Sequence, residues 1–290
     1  MNTNNHNQID YFRDLPQQVQ FALQEDVGSG DLTAELIDAK AMAHATIICR
    51  ENAVLCGQAW VEETFRQLND TVTIEWHAKD GELLENDQTV CTMTGNARDL
   101  LTAERTALNF LQTLSGTATA ANRYAEKLKG LHTQILDTRK TIPGLRLAQK
   151  YAVMMGGCVN HRIGLYDAIL IKENHISTCG SILQAVNMAR LNHGDENIII
   201  EVEVEDLDQL QEALNAGVDR ILLDNMNEHE LQEAVALNAN CAELEASGNI
   251  TIDNIRVIAK TGVDFISIGA LTKHLYAIDL SMRFNFNITN

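Results

Sequence analysis

The stretch NIIIEVEVEDLDQLQEALNAGVDRILLDN, residues 197–225, contains two apolar runs on either side of one helical pattern. The runs at 197–205 and 219–225 are short and aliphatic and end in polar residues, which is typical of buried strands. Between them, residues 206–217 repeat leucine and alanine at helical spacing and end at a glycine. A strand, a helix and a second strand in this order predict a parallel βαβ unit.

The same alternation continues in both directions along the chain. Further strand-like runs are QILDTRK (134–140), AILIKEN (168–174), AELEASGN (242–249) and DFISIGA (264–270). The four runs that begin at residues 197, 219, 242 and 264 recur every 20 to 25 residues, with one helical segment after each. Six or seven such units in succession fit a closed or nearly closed α/β barrel better than an open sheet.

The first hundred residues have a different pattern. Residues 43–57 and 71–95 predict short strands broken by turns, and residues 58–68 between them have helical spacing. Residues 97–128 predict helices interrupted near Ser115 and Gly116, where we place the domain boundary. We therefore predict an N-terminal α+β domain over 1–115, with 276–290 packed back on it, and a barrel domain over 116–275.

The composition disfavours several classes of protein. A chain of 290 residues with 45% hydrophobic content can bury a sizeable core, and a formal net charge of −18 disfavours nucleic acid as a partner. The absence of a signal-like start and of any run of 18 apolar residues predicts a cytoplasmic protein without a membrane segment. The six cysteines are scattered without a C-x-x-C pair, which predicts buried free thiols rather than a zinc site.

Cationic residues collect in the early strand ends of the predicted barrel. Such barrels carry their chemistry at the carboxyl ends of the strands, and residues 137–172 contain six Lys or Arg against two Asp. Arginine binds carboxylates and phosphates through paired hydrogen bonds and lysine acts as a mobile point charge, so the mixture suits a ligand with several anionic groups. Arg146 and Lys150 are expected to face solvent, and an ordinary surface charge is the alternative for each cation. The candidates are Arg139, Lys140, His161, Arg162 and Lys172.

Carboxylates and small residues follow in the later strand ends. Strand alternation places Glu201, Glu203 and Glu205 on one face, and Glu205 is expected to reach water. Glu201 and Asp224 are predicted to bind hydroxyl groups or a metal held by phosphate oxygens. Two loops, SGN (247–249) and IGA (268–270), precede predicted helices whose N-terminal N–H groups would bind phosphate, although glycine often only turns the chain.

Taken together, these motifs resemble the quinolinate phosphoribosyltransferase family. The resemblance implies an N-terminal α/β sandwich and an incomplete seven-stranded α/β barrel, assembled at least as dimers. It also implies that quinolinate and phosphoribosyl pyrophosphate react, with Mg²⁺ and no organic cofactor, to give nicotinate mononucleotide, pyrophosphate and carbon dioxide for NAD biosynthesis. The anionic groups of both substrates would explain cations in an acidic chain. The segments that carry the resemblance are 104–119, 137–146, 160–175, 201–204, 221–225, 246–250 and 261–274.

The resemblance also implies roles for individual residues. The quinolinate pocket would consist of Thr138, Arg139, Lys140, His161, Arg162 and Lys172. Glu201 and Asp224 match carboxylates that hold the ribose hydroxyls and Mg²⁺, and they join Lys140 and Lys172 as the expected catalytic residues. The phosphate loops would be Ser247, Gly248 and Asn249 with Ile268, Gly269 and Ala270; some family members have a second glycine in place of Asn249, which argues against a side-chain role there. Arg105 matches an arginine that reaches the partner subunit's site, and an oligomer larger than a homodimer stays open.

Two other functions stay open on the sequence alone. One is a related phosphoribosyltransferase that acts on a different ring, and the complete set of pocket cations disfavours it. The other is a non-catalytic sensor of phosphorylated sugars, and the intact pair of Glu201 and Asp224 disfavours that.

Overall fold

The computed structural model describes residues 9–193 and 198–286. Its elements up to residue 127, numbered in chain order, are α1 Leu15–Val27, a 3-10 turn Ala34–Leu36, β1 Met42–Cys49, β2 Ala53–Val54, α2 Gln58–Leu68, β3 Thr73–Trp76, β4 Leu83–Leu84, β5 Thr89–Asn96 and α3 Ala97–Lys127. The remaining elements are β6 Gln134–Leu136, α4 Arg146–Met155, β7 Ile169–Ile171, α5 Glu173–Cys179, α6 Ile182–His193, β8 Ile200–Val204, α7 Leu207–Ala216, β9 Arg220–Asp224, α8 Glu228–Asn238, β10 Glu243–Ser247, α9 Ile255–Ala259, β11 Phe265–Ser267, α10 Ala270–Lys273 and β12 Leu280–Phe286.

The chain divides into two compact units. The first comprises the residues up to Asn122, Thr141–Gly157 and the residues from Thr272 onward. It contains an antiparallel sheet in the order β12-β1-β5-β3 and a small pairing of β2 with β4. Strands β1 to β5 and α2 arise where the sequence predicts short strands and a helix, whereas no strand was predicted at β12. None of the helices in the described ranges combines the length and the apolar character that a membrane crossing needs.

The second unit, Arg123–Lys140 with Cys158–Leu271, is built on a parallel sheet. Its six strands have the order β6-β11-β10-β9-β8-β7. At the β6 edge, Val159 adds an isolated parallel bridge to Leu136. This is the winding of an α/β barrel, and the predicted fold class is confirmed. Within residues 9–193 and 198–286, no strand pairing joins the Val159 segment to β7, so the barrel is not closed.

The strands of the barrel separate apolar from charged side chains by simple alternation. Val202 and Val204 are fully buried, and burial stabilises each by roughly 1.5–3 kcal/mol. Residues paired across a parallel ladder project from the same face, and Glu201 pairs with Arg220. Glu201 lies on the opposite face from Val202 and is only 1% exposed. The alternation therefore places charged groups inside the barrel.

Helix α3 is a single helix of 31 residues, so the predicted interruption near Ser115 and Gly116 is wrong. Both residues are used for packing within the first unit. The Ser115 hydroxyl accepts a hydrogen bond from the N–H of Cys56 at 2.9 Å and donates to its carbonyl at 3.1 Å. A Cβ on Gly116 would lie 2.3 Å from the carbonyl oxygen of Tyr276. The glycine thus permits a close backbone approach and does not break the helix.

The expectation that Lys150 faces solvent is also wrong. Lys150 on α4 is completely buried, as is its neighbour Gln149. Gln149 accepts from the N–H of Ile142 at 2.8 Å and donates to the carbonyl of Thr272 at 3.1 Å. Both of these adjacent positions of α4 are buried, so Lys150 lies inside the first unit and not at the surface as the helical pattern predicted. Arg146 is half-buried and donates to the Thr141 hydroxyl.

Candidate active site

All but one of the predicted site residues lie in the second unit, at or near the carboxyl ends of its strands. Because the strands are parallel, these ends meet at one edge of the sheet. Glu201 is the deepest, since it is the second residue of β8. The others follow the strands or end them: Thr138, Arg139 and Lys140 after β6, His161 and Arg162 after the Val159 bridge, Lys172 after β7, Asp224 in β9, Ser247, Gly248 and Asn249 at β10, and Ile268, Gly269 and Ala270 after β11.

Two arginines form the cationic side of the site. Arg162 is partly buried, and burial together with the positive charge of Arg139 lowers the pKa of its guanidinium. Arg162 also donates through Nη1 to the carbonyl of Ala168 at 3.2 Å, which fixes the direction of its side chain. Arg139 and Arg162 carry like charges that repel each other, so an anion bound between them would stabilise both.

His161 lies inside the barrel between two buried carboxylates. Its Nε2 is 3.0 Å from Oε2 of Glu201 and 3.4 Å from Oε2 of Glu245. Burial alone lowers the pKa of His161, but the hydrogen bonds with Glu201 and Glu245 raise it to about 9. The two carboxylates compete for the same proton, and burial with the charge of Glu245 raises the pKa of Glu201.

The His161–Glu201–Glu245 cluster has ligand atoms within 4.8 Å of one another, as a metal site would require. The backbone N–H of Arg162, however, donates to Nδ1 of His161 at 2.7 Å. This contact requires an unprotonated Nδ1, so it belongs to the neutral ring, whose proton is then on Nε2. The imidazolium cannot accept it, because both of its nitrogens carry a proton. The nitrogen that faces the carboxylates is therefore a donor in both forms, and the cluster is a proton-sharing group rather than a metal centre.

Buried oxygens without partners point to hydrogen-bond donors from a ligand. Within the described residues, Oε1 of Glu201 and Oε1 of Glu245 are buried and have no hydrogen bond. A buried acceptor left unpaired costs about 1–3 kcal/mol, so such atoms are uncommon without a purpose. Ligand hydroxyl groups would satisfy Oε1 of Glu201, and the binding of ribose hydroxyls by this residue stays a prediction.

A second group of charges joins β7, β8 and β9. Lys172 Nζ forms a short ion pair with Oε2 of Glu203, and the lysine side chain remains 46% exposed. Burial and the negative charge of Glu203 raise the pKa of Asp224, whereas Asn225, Lys172 and Lys140 lower it. The strand ends thus bring the two predicted lysines close enough to Asp224 to influence its charge.

The loop after β11 lies against the loop after β6. A Cβ on Gly269 would be 3.0 Å from Cδ of Lys140 and 3.6 Å from Oγ1 of Thr138. The Thr138 hydroxyl also accepts from the N–H of Lys140 at 3.1 Å. Helix α10 begins at Ala270, directly after this glycine, as predicted. The contact places the Lys140 side chain beside the backbone of that loop, in which the N–H of Ile268 donates to the carbonyl of Leu136 at 2.9 Å.

The helix predicted directly after Ser247–Asn249 begins later than expected. Helix α9 starts at Ile255, because Asn254 accepts from the N–H of Thr251 at 2.7 Å and closes a turn first. The loop instead has a distorted backbone, with φ of 92° at Gly248 and 52° at Asn249. Its N–H groups therefore belong to a turn and not to a helix terminus.

Arg105 is the one predicted residue in the first unit. It lies on α3 and is exposed. Its role in a partner's site stays a prediction.

Two family models match nearly the whole chain. They describe the N-terminal domain of quinolinate phosphoribosyl transferase, matched over residues 31–115, and its C-terminal domain, matched over residues 117–283. The chain belongs to the quinolinate phosphoribosyltransferase family. The resemblance inferred from the motifs is confirmed by this match.

Individual relatives of the family agree over most of their length. A Bacillus subtilis (strain 168) protein described as a probable nicotinate-nucleotide pyrophosphorylase (carboxylating) is 42% identical over 258 residues, 89% of each chain. The solved nicotinate-nucleotide pyrophosphorylase from Francisella tularensis is 46% identical, with a TM-score of 0.93 over 98% of this chain and all of that one. NadC from Streptococcus pyogenes is 38% identical, with a TM-score of 0.91 over 94% and 97%.

Two residues of this quinolinate phosphoribosyltransferase family member were missed by the sequence reasoning. Glu245 is fully buried beside His161. The alternation of Glu243, Glu245 and Ser247 in β10 could have revealed it, by the same rule that pointed to Glu201. Asp137, also fully buried, accepts from the N–H of His161 at 2.9 Å and from Asn160 at 2.7 Å. It ties the end of β6 to the segment that carries His161.

Proposed function

We propose that this chain transfers the phosphoribosyl group of phosphoribosyl pyrophosphate to quinolinate, with decarboxylation, in the de novo synthesis of NAD. The products are nicotinate mononucleotide, pyrophosphate and carbon dioxide. The observation that carries the proposal is that one set of strand ends holds an arginine pair, Arg139 and Arg162, and two carboxylates, Glu201 and Asp224. We call the arginine pair the cationic side and the two carboxylates the carboxylate side. One side suits a dicarboxylate and the other a ribose.

Quinolinate binds on the cationic side. The mutual repulsion of Arg139 and Arg162 is relieved by its two carboxylates. His161 directs its Nε2–H at Glu201 and Glu245 inside the barrel, and Thr138 and Lys172 complete the proposed pocket. Nicotinic acid has only one carboxylate, so it leaves part of this charge unpaired and is a poor substrate.

Phosphoribosyl pyrophosphate binds on the carboxylate side. Glu201 accepts from ribose hydroxyls through its unpartnered Oε1, and Asp224 does the same from the end of β9. The backbone N–H groups of Ser247–Asn249, Gly269 and Ala270 bind phosphate oxygens, with Lys140 beside Gly269, whereas the N–H of Ile268 donates to the carbonyl of Leu136 at 2.9 Å. Glu201 and Asp224 offer the hard oxygen ligands that Mg²⁺ prefers, and the bound ion would neutralise negative charge on the pyrophosphate.

The reaction needs no covalent enzyme intermediate. The pyridine nitrogen attacks C1 of the ribose as the bond to pyrophosphate breaks, and the ring at C1 passes through a cationic, oxocarbenium-like transition state. The carboxylates of Glu201 and Asp224 stabilise this positive charge, and Lys140 and Lys172 stabilise the negative charge on the leaving group. Loss of carbon dioxide from C2 leaves an electron pair on C2, beside the cationic ring nitrogen. This electron pair then binds a proton, which replaces the carboxylate at C2. No organic cofactor is required.

The active unit is a homodimer in which Arg105 of one chain completes the site of the other. Arg105 is exposed on α3, which leaves its guanidinium available to a second chain. The enzyme acts in the cytoplasm, with which six free cysteines are consistent.

One assay tests the function directly. The protein is mixed with quinolinate, phosphoribosyl pyrophosphate and Mg²⁺, and carbon dioxide and nicotinate mononucleotide are followed. Both products are expected in equal amounts, with a kcat/KM at least about a hundredfold above that with nicotinic acid, because a single carboxylate would relieve less of the repulsion between Arg139 and Arg162. Comparable rates with the two acids would indicate a related transferase. Binding of phosphoribosyl pyrophosphate without any turnover would indicate a sensor, and either result would overturn the proposal.

A further inference from the structure

Two asparagines in adjacent strand-end loops have left-handed backbones. Asn225 follows β9 with φ of 56°, and Asn249 follows β10 with φ of 52°. Asparagine tolerates this region better than most residues, and glycine tolerates it best. If the loops needed only the backbone shape, glycine would serve at both positions. The presence of an asparagine side chain at both positions therefore needs an explanation other than backbone conformation.

The side-chain amides form a chain that ends on Asp224. Nδ2 of Asn249 donates to Oδ1 of Asn225 at 3.0 Å, and Nδ2 of Asn225 donates to Oδ2 of Asp224 at 2.6 Å. The backbone N–H of Asn225 donates to the carbonyl of Ser247 at 2.8 Å. The loop after β10 thus holds both the backbone and the side chain of Asn225.

The space for this amide exists because residue 248 is glycine. A Cβ on Gly248 would lie 2.1 Å from Oδ1 of Asn225 and 3.0 Å from its backbone nitrogen. Asn249 is itself held from the other side, since Asn254 donates to its carbonyl at 3.2 Å. The Asn225 side chain therefore has a defined place between Gly248 and Asp224.

The two ends of an amide are not equivalent, and Asn249 decides which end faces Asp224. A donor from Asn249 requires the oxygen of Asn225 at that position, which turns the NH₂ group toward the carboxylate. The opposite orientation would place two donors together at Asn249 and two acceptors together at Asp224. One hydrogen bond from Asn249 thus selects the orientation of the next.

We propose that Asn225 is a positioning residue for Asp224 and that Asn249 sets its orientation. The Asn225 amide occupies one lone pair of Oδ2 and so leaves the remaining acceptor sites of Asp224 directed at the ribose. The inference rests on the proposed function, because it assumes that Asp224 binds phosphoribosyl pyrophosphate. It assigns a side-chain role to Asn249 where the sequence argued against one.

The test uses Asn225→Gly, Asn249→Gly and the double variant in the full-length protein. Glycine preserves the positive φ at each position and removes only the amide. Asn240→Gly is the matched control, since Asn240 is also exposed, has φ of 62° and precedes β10 at its other end. Dissociation constants for phosphoribosyl pyrophosphate are measured by calorimetry, with KM for both substrates, kcat and the melting temperature.

Asn225→Gly should weaken binding of phosphoribosyl pyrophosphate about five- to tenfold and Asn249→Gly about threefold, while KM for quinolinate changes less than about twofold. The double variant should match Asn225→Gly, because Asn249 acts only through Asn225. Effects that multiply in the double variant, equal effects on both substrates, or losses shared by Asn240→Gly would overturn the proposal. Calorimetry measures binding without turnover. If the wild type binds phosphoribosyl pyrophosphate but forms no product, the proposed function is wrong. The ratios of the dissociation constants of the variants to that of the wild type still test this inference.

Discussion

The backbone carbonyl of Tyr276 lies where a side chain on Gly116 would have to be, with its oxygen 2.3 Å and its carbon 3.1 Å from an added Cβ. In an exposed helix, Gly→Ala stabilises by about 0.5–1 kcal/mol. Here the methyl group would collide with backbone, which cannot rotate away as a flexible side chain can. Gly116→Ala should therefore destabilise the protein by about 1–3 kcal/mol in denaturant unfolding.

The control for this prediction is Asn109→Ala on the same helix. Asn109 is exposed, so alanine there should leave stability unchanged or raise it by a few tenths of a kcal/mol. A stabilising Gly116→Ala would return Gly116 to the ordinary helix-weakening role that the sequence suggested.

The buried pair of Glu201 and Glu245 predicts a pH-dependent stability. The pKa of His161 is raised from 6.5 to about 9 by these carboxylates, so the folded protein binds this proton more tightly than the unfolded chain does. The resulting stabilisation is complete below pH 6.5 and is lost as the pH rises through about 9. Glu245→Gln removes one of the two charges, so it should lower the pKa of His161 in an NMR titration and flatten the fall in stability over this window.

Glu243→Gln is the matched control, since Glu243 lies on the same strand, is 51% exposed and pairs with Arg220. It should leave the titration of His161 unchanged. An identical pKa of His161 in the wild type and in Glu245→Gln would contradict the proton-sharing cluster.

The cysteines should divide into two reactive and four unreactive thiols. Cys179 and Cys241 are exposed, whereas Cys49, Cys56, Cys91 and Cys158 are buried. Burial raises the pKa of both Cys91 and Cys158 to about 12. At pH 8 only about one such thiol in ten thousand is then a thiolate, the form that reacts. A colorimetric thiol reagent should report two groups in the native protein and six in denaturant, and a third fast-reacting native thiol would contradict the described core.

The sequence was most informative where function depends on strand alternation. Glu201 and Asp224 could be predicted because a charged residue in an aliphatic strand is visible in the order of the letters alone. Glu245 obeys the same rule, since it lies between the buried apolar residues Leu244 and Ala246 of β10. Gly116 and Lys150 could not be predicted, since their environments are made by residues distant in the chain, such as Tyr276. Local periodicity carries no information on such contacts.

Arg105 is exposed on α3, and the family resemblance predicts that it binds substrate in the site of a partner chain. If each chain donates Arg105 to its partner, Arg105→Ala and Lys172→Ala homodimers should both be nearly inactive. After the two are unfolded together and refolded in equal amounts, about half the dimers are mixed, and each mixed dimer has one site with both residues intact. The mixture should recover about a quarter of wild-type activity.

A chain that carries both substitutions provides the complementary control. Mixed with an equal amount of wild type and refolded, it should reduce activity from about half to about a quarter of an all-wild-type sample, because both sites of a mixed dimer are then broken. If Arg105 acts within its own chain, this mixture stays at about half and the mixture of single variants stays inactive. A shared site raises the activity of the single-variant mixture and lowers that of the mixture with wild type. Loss of protein during refolding lowers the activity of both mixtures, so it cannot imitate a shared site.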